Sequence, residues 1–391
     1  MPRRPVAIDL TRLRWGYVGG VESYVRGLLG GFRKIGVHHN IEVIVNSPGD
    51  KWLTRHYGVR LRVLRRQRRG DPIYRTVNLG AKWVPRMYRL RDYLYGKARQ
   101  LERYYRAVHY PLTVIDPAMD AAHIPLVVTM HDIQQEHFPE YFAPDVLHAR
   151  RTHYRRSAAK AAVILCDSEF VRRDIHECYG VALDKLVTIY PGIDETFVPV
   201  RDGALLRSIS DRYRLPGGYV FYPATPWAHK NHARLLHALA RLPGVHLVLT
   251  ASSRGLYRQA ELMAIGAELG LASRVHWLGH VPLAHMPALY SMAAALVFPS
   301  EFEGFGFPIL EAMAVGCPVA CANVTSLPEI GGDAVVYFDP RSVEEIVEAT
   351  RAILSNEQLR RSLIARGFAR AKLFSWQVAA RRTFAVYERL G

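Results

Sequence analysis

The stretch ALVFPSEFEGFGFPILEAMAVGCPVACAN, residues 295–323, decides how the chain is read. ALVFPS is continuously apolar, as expected of a strand buried on both faces. EFEGFGF then makes a glycine-rich loop. Pro308 suits the first helical position, Gly316 ends a short helix, and Pro318 begins the next strand. Glu303 falls in the loop, and Glu311 falls in the first turn of the helix or just after it. A solvated face would not carry Phe302, Phe305 and Phe307. The start of such a helix offers free N–H groups and positive dipole character to an anion. Gly304 and Gly306 let the backbone approach a ligand without a Cβ in the way. In that setting Glu311 suits the hydroxyls of a ribose, and Glu303 suits a sugar or positive charge at its anomeric carbon. For an isolated pair a plainer reading stays open, with Glu311 favouring a helix start and Glu303 solvated in a loop.

The same grammar runs through the chain. Apolar, β-branched runs occur at VAIDL, IEVIVN, VRLRVL, LVVTMHD, AVILCDS and VTIYPGID, then at YVFYPA, VHLVLTA, VHWLGH, ALVFPS, PVACAN and AVVYFDP. Helical patterns separate them, which predicts an α/β protein with parallel sheets covered on both faces. The two series join near residues 199–218. We therefore expect two doubly wound domains, 1–200 and 201–373, facing each other across a cleft. FSWQVAARRTFAVYERL predicts a C-terminal helix over 374–391 that returns to the N-terminal domain. Ligands of such sheets bind beyond the carboxyl ends of the strands. Gly19–Gly20, His131, Gly192, Lys230 and Glu303 all fall at strand ends.

No apolar run is long enough to span a membrane, and MPRRPVAIDL has no secretory h-region, so a cytoplasmic protein is expected. Cys166, Cys178, Cys317 and Cys321 suit reduced, buried thiols. Cys317 and Cys321 lack the further ligands of a zinc site, so no metal is expected there. The formal charge of +17 is concentrated: residues 51–110 hold seventeen Lys and Arg against three acids. That insert, about 50–110, breaks the alternation with one or two basic amphipathic helices carrying Trp83, Arg86, Arg89 and Tyr93. An anionic membrane surface is the preferred partner, ahead of a merely solvated face. No nucleic-acid module accompanies the charge, so nucleic acid is not expected as a partner. There is no GxxxxGK loop, no GxSxG elbow and no Asp-x-Asp. The last absence points to chemistry that needs no metal, with cations and helix dipoles stabilising a leaving diphosphate.

Residues 301–340 closely resemble the signature of retaining glycosyltransferases of family 4, also called group 1, with Glu-x7-Glu in an E-G-F-G-x-P-x-x-E-A-M context. GGVESYVRGLL, VTMHDI, DSEFVRRDIHECYG with VTIYPGID, and PATPWAHKNHARLLHAL resemble further family elements, so the likeness covers most of the chain outside roughly 50–110. The HDI, HKN and SLPEIGGDA stretches resemble bacterial polysaccharide and lipopolysaccharide mannosyltransferases. The resemblance implies a GT-B fold of two Rossmann-like lobes, the N-terminal one binding the acceptor and the C-terminal one the nucleotide sugar. It implies a donor diphosphate on Lys230, a transferred sugar reached by His131 and supported by Glu303, and a ribose on Glu311. It further implies donor contacts from Gly19, Gly20, Gly304, Phe305, Gly306 and from the Ser326–Leu327 turn with Glu329. The donor is then a nucleotide diphosphate sugar, GDP-mannose first, with no other cofactor. The acceptor is a glycan or lipid-linked diphosphate at the inner membrane face. One departure stands out: a family arginine six residues before Lys230 is Ala224 here, leaving His229 or Arg254 as substitutes. A nucleotide-sugar epimerase on the same fold, or a basic non-catalytic adaptor, is the alternative.

Overall fold

The computed structural model describes residues 4–13, 15, 19–46, 48–63, 96–250 and 256–390. The chain divides into two compact units. The first comprises Met1–Asp167, Val171–Gly192 and Trp376–Gly391, and the second comprises Ser168–Phe170 and Ile193–Ser375.

The first unit is built on strands β1 (Val6–Asp9), β2 (Ile41–Val45), β3 (Arg60–Val63), β4 (Ala107–Tyr110), β5 (Leu126–Met130), β6 (Val163–Cys166) and β7 (Leu186–Thr188). They form one parallel sheet in the order β3-β2-β1-β4-β5-β6-β7. The inner strands β1, β4 and β5 are buried at every residue, as their uninterrupted apolar sequences require. The edge strand β3 is half exposed and carries Arg62, which pairs with Glu42 of β2 at 2.9 Å; charge on an edge discourages pairing with another chain. The sequence reading missed β4, whose four residues AVHY follow a basic, tyrosine-rich helical stretch.

The second unit carries β8 (Val220–Pro223), β9 (Leu247–Thr250), β10 (Val275–Trp277), β11 (Ala295–Phe298), β12 (Val319–Ala322) and β13 (Val336–Phe338). Their order is β10-β9-β8-β11-β12-β13, again all parallel. Numbered from its own first strand this is 3-2-1-4-5-6, the Rossmann order, and the first six strands of the first unit repeat it. In each sheet the winding reverses between the first and fourth strands, so each unit has one switch point: β1/β4 in the first and β8/β11 in the second.

The C-terminal helix Trp376–Arg389 belongs to the first unit and packs along the helix Gly19–Lys34. The two axes come close because Gly27 and Gly31, one helical turn apart, face it. A Cβ on Gly27 would strike the Trp376 indole, and one on Gly31 would strike the Trp376 carbonyl and lie 2.9 Å from Ala380 Cβ. Tyr387 of the same helix is fully buried, with its hydroxyl 2.6 Å from His109 Nδ1 of β4. His109 Nε2 in turn meets Thr129 Oγ1 of β5 at 2.8 Å, and Thr129 Oγ1 meets the Tyr24 hydroxyl at 3.1 Å. Burial and the nearby His131 push the His109 imidazole down to a pKa of about 3, so it stays neutral within this network.

Candidate active site

The loop that opened the reading leaves β11 at the switch point of the second sheet. Ser300 is fully buried, Phe302 and Phe305 nearly so, while Glu303 and Gly304 keep part of their surface exposed. Gly306 lies at φ 103°, a left-handed geometry that suits glycine, and a Cβ there would come within 2.7 Å of Leu327. The helix then runs Phe307–Val315, one residue earlier than expected, so Pro308 is its second residue; Gly316 at φ 80° ends it.

Lys230 arrives from the other flank of the same switch point. It closes a short turn, Ala228–Lys230, that follows β8, the neighbour of β11. The two segments are stitched together: the Glu301 amide donates to the His229 carbonyl at 2.7 Å, and the Tyr222 hydroxyl donates to the Lys230 carbonyl at 2.7 Å. The Lys230 ammonium consequently meets Glu303 Oε1 at 2.5 Å, with both side chains mostly buried. An ammonium has three donors, so the carboxylate leaves capacity for another acceptor. A positive group, a carboxylate and a helix N-terminus beside a glycine-bearing loop make a setting suited to a phosphorylated, polyhydroxylated ligand.

The Ser326–Leu327 turn braces the loop from below. Ser326 Oγ lies 2.9 Å from the Glu303 carbonyl and 3.0 Å from that of Phe305, and Thr325 Oγ1 accepts from the Glu303 amide at 3.1 Å. Ser326 and Leu327 are fully buried, so their side chains serve the loop itself. Thr325 holds φ 54°, costly for a β-branched residue, directly beneath Glu303. Ser168 Oγ donates to the Gly304 carbonyl at 2.7 Å, and Glu329 accepts from the amides of Glu169 and Phe170 at 2.6 and 3.0 Å.

Glu311 lies one turn into the helix and accepts a 2.7 Å hydrogen bond from Tyr290 through Oε2. Burial pushes its carboxyl up to about 7, against the opposing pull of the Tyr290 hydroxyl and with help from Asp194. Ala224 is nearly buried, with no basic side chain at that position. Of the two substitutes, His229 has its carbonyl tied to Glu301, and Arg254 lies outside the described residues.

In the first unit, His131 follows β5 and Asp167 follows β6. The register pairs Met130 with Cys166, so the next residues stand opposite each other, and His131 Nδ1 meets Asp167 Oδ2 at 2.6 Å. The other ring nitrogen meets the Pro111 carbonyl, just past β4, at 2.8 Å. Both partners are pure acceptors, so satisfying both requires a doubly protonated, positive ring. Burial alone would lower the imidazole pKa, but the Asp167 charge, its hydrogen bond and the Pro111 carbonyl outweigh it and raise it. Gly19 and Gly20 start the helix Gly19–Lys34 and are exposed, with open space where a Gly19 Cβ would stand.

A further cluster at the first unit's switch point escaped the sequence reading. Asp9 ends β1, and Lys97 Nζ lies 2.7 Å from Asp9 Oδ2 and 2.6 Å from Asp116 Oδ2. Asp9 was visible at the end of VAIDL, but its partners are remote in sequence. Trp83, Arg86, Arg89 and Tyr93 lie outside the described residues.

Residues 18–197 match the family described as Glycosyltransferase Family 4, and residues 218–370 match Glycosyl transferases group 1. Over 351 residues the chain is 32% identical to O-antigen chain mannosyltransferase B of Escherichia coli, covering 88% of this chain and 87% of that protein. It is 29% identical over 237 residues to the serotype-specific mannosyltransferase WbdA of Escherichia coli, covering 59% of this chain and 29% of that longer protein. The crystal structure of Anabaena HepE in complex with UDP and glucose superposes with a TM-score of 0.75 over 99% of this chain and all of that one, at 19% identity, which shows a shared fold.

Proposed function

The chain belongs to the family 4, group 1 glycosyltransferases, with their GT-B fold, and on that premise we propose a retaining, metal-independent enzyme. It transfers mannose from GDP-mannose to a glycan or lipid-linked acceptor in cell-surface polysaccharide synthesis. The relatives that carry mannosyltransferase names support the sugar. The observation that carries the reading is the Lys230–Glu303 pair, set on the two strands that flank one switch point, beside the start of the Phe307–Val315 helix.

In this mechanism the donor diphosphate adds to the free donors of the Lys230 ammonium and lies towards the helix N-terminus. Both stabilise the negative charge that grows as the bond to the anomeric carbon breaks. Glu303 faces the positive charge that develops on the sugar. Glu311, its Oε2 held by Tyr290, offers Oε1 to the ribose. The acceptor hydroxyl attacks from the side the diphosphate leaves, and a departing phosphate oxygen takes its proton, so no separate base is required. His131, a cation whose two ring N–H groups are held by Asp167 and the Pro111 carbonyl, acts on the sugar through its positive charge. The excess of Lys and Arg over residues 51–110 supports an acceptor presented at an anionic membrane face. Among the described residues no helix is long and apolar enough to cross a membrane.

Thermal unfolding against GDP, UDP, ADP and their sugars tests the donor, and product analysis tests the chemistry. Selective stabilisation by GDP and GDP-mannose is expected, followed by transfer that persists in EDTA and gives an α-linked mannoside. Stabilisation by UDP alone would overturn the donor, and an inverted product would overturn the retaining course.

A further inference from the structure

Two rungs join the same pair of segments in the first unit. The first is His131 to Asp167. The second lies six and seven residues further on, where His137 Nε2 meets Asp174 Oδ1 at 2.6 Å. His137 ends the single-turn helix Gln134–His137, and Asp174 lies on the helix Glu169–Tyr179. Four residues beyond Asp174, on the same helical face, Cys178 brings its Sγ to 3.6 Å from Asp174 Oδ1. One ligand atom from each of the three residues lies within 4.8 Å of the other two.

Each rung leaves one buried carboxylate oxygen unanswered, Asp167 Oδ1 in the first and Asp174 Oδ2 in the second, but only the second has a thiol beside it. Asp174 is only 5% exposed, yet its Oδ2 has no hydrogen-bond partner. A buried carboxylate oxygen left in that state is costly and calls for a proton or a cation. Of the acids around Cys178, Glu136 pairs through Oε2 with Arg151 and Arg155 at 3.1 and 3.3 Å. The remaining donors are one imidazole nitrogen, one carboxylate and one thiol.

We propose that His137, Asp174 and Cys178 form a binding site for a divalent cation of the zinc class, one that ties the segment after His131 to the helix after Asp167. Sulfur among the ligands favours zinc over magnesium or calcium. A neutral imidazole, a carboxylate and a thiolate balance the charge of the ion. Three protein ligands leave a fourth tetrahedral position for water, on the side where His137 is open to solvent. Binding releases the Cys178 thiol proton to solvent and moves the proton between His137 Nε2 and Asp174 off that bond, leaving the neutral ring protonated at Nδ1, so two metal–ligand bonds replace the hydrogen bond. The site holds none of the residues proposed for transfer, so it is structural and leaves the transfer step free of metal.

The test uses the full chain loaded with Zn2+ or Co2+ and then desalted. Metal analysis is expected to find one equivalent of zinc per chain, with retention at least about tenfold lower in His137→Ala and in Cys178→Ser. The cobalt form is expected to show a thiolate-to-cobalt charge-transfer absorption that disappears in Cys178→Ser. The other three cysteines are buried, so that band reports Cys178. Zinc that washes out of the wild-type protein would leave an ion pair with a neighbouring thiol and overturn the site. So would equal retention by both variants, or a thiolate band that survives in Cys178→Ser. His137 is exposed, so loss of zinc by His137→Ala with unchanged apo unfolding separates ligand loss from misfolding.

Discussion

The ammonium of Lys230 and the carboxylate of Glu303 stand 2.5 Å apart although 73 residues separate them in sequence. Each residue leaves the carboxyl end of a strand, and those two strands are neighbours at the reversal of the second sheet. Lys230→Ala and Glu303→Gln are each expected to lower the transfer rate by about 100- to 1,000-fold. Because they act as one unit, the double variant should lose little more than either single one. Rates for all three variants, with far-ultraviolet spectra to confirm folding, check this. Losses that simply multiply would mean the two residues act separately.

Glu311 gives a pH signature. Its carboxyl is raised from 4.5 to about 7 in the folded protein, so the folded state favours the protonated form. That contribution to stability is complete below the unfolded value and is lost as pH rises through about 7. Glu311 is partly exposed, which reduces the effect to roughly 1–3 kcal/mol. Glu311→Gln, neutral throughout, should flatten the stability profile between pH 5 and 7.5. Urea unfolding at a series of pH values measures it, and parallel profiles for the two proteins would refute the shift.

His131 shifts in the same direction for a different reason. Its folded pKa is raised by Asp167, so its stabilising charge is fully present below the unfolded value of 6.5 and is lost as pH rises through the folded value. In Asp167→Asn the ring loses its charged partner, and its midpoint should move to lower pH. Nuclear magnetic resonance of the ring reads that midpoint directly. If it does not move, Asp167 is not what holds the charge.

Gly27 and Gly30 lie on one helix but should respond oppositely to alanine. At Gly27 the added methyl collides with the rigid, nearly buried Trp376 indole, an overpacking that costs about 1–3 kcal/mol. At Gly30 the nearest atom is Tyr57 Cε1 at 3.8 Å, ordinary contact, so the helix gains most of the roughly 1 kcal/mol that alanine offers over glycine. Denaturant midpoints of the two variants decide it. Equal midpoints would mean the two helices can separate without cost.

The strands were legible because a parallel sheet covered on both faces writes uninterrupted apolar runs, and twelve runs were read as such. The thirteenth strand, AVHY, was not, because a histidine in a four-residue run looks polar until Thr129 and Tyr387 satisfy both of its nitrogens. Lys230, Glu303, Glu311 and His131 were visible as polar residues at strand ends or helix starts. Their partners were not. Asp167 meets His131 through strand register, Tyr290 meets Glu311 across two helices, and Asp116 meets Lys97 across an intervening helix and strand, none with a local signal. Backbone strain at Thr325 is equally silent, since threonine does not advertise a left-handed conformation.

The C-terminal helix carries a consequence for synthesis. Its groove on the helix Gly19–Lys34 is made within the first few dozen residues, yet Trp376 is added only after the whole second unit has been translated. At ribosomal speeds of about 5–20 residues per second, the glycine face waits roughly 17–70 s for its indole. During that interval the nascent first unit exposes an apolar stripe that chaperones can hold and proteases can enter. Arrival of Trp376, not emergence of the first sheet, is therefore the moment at which the glycine face becomes resistant to both.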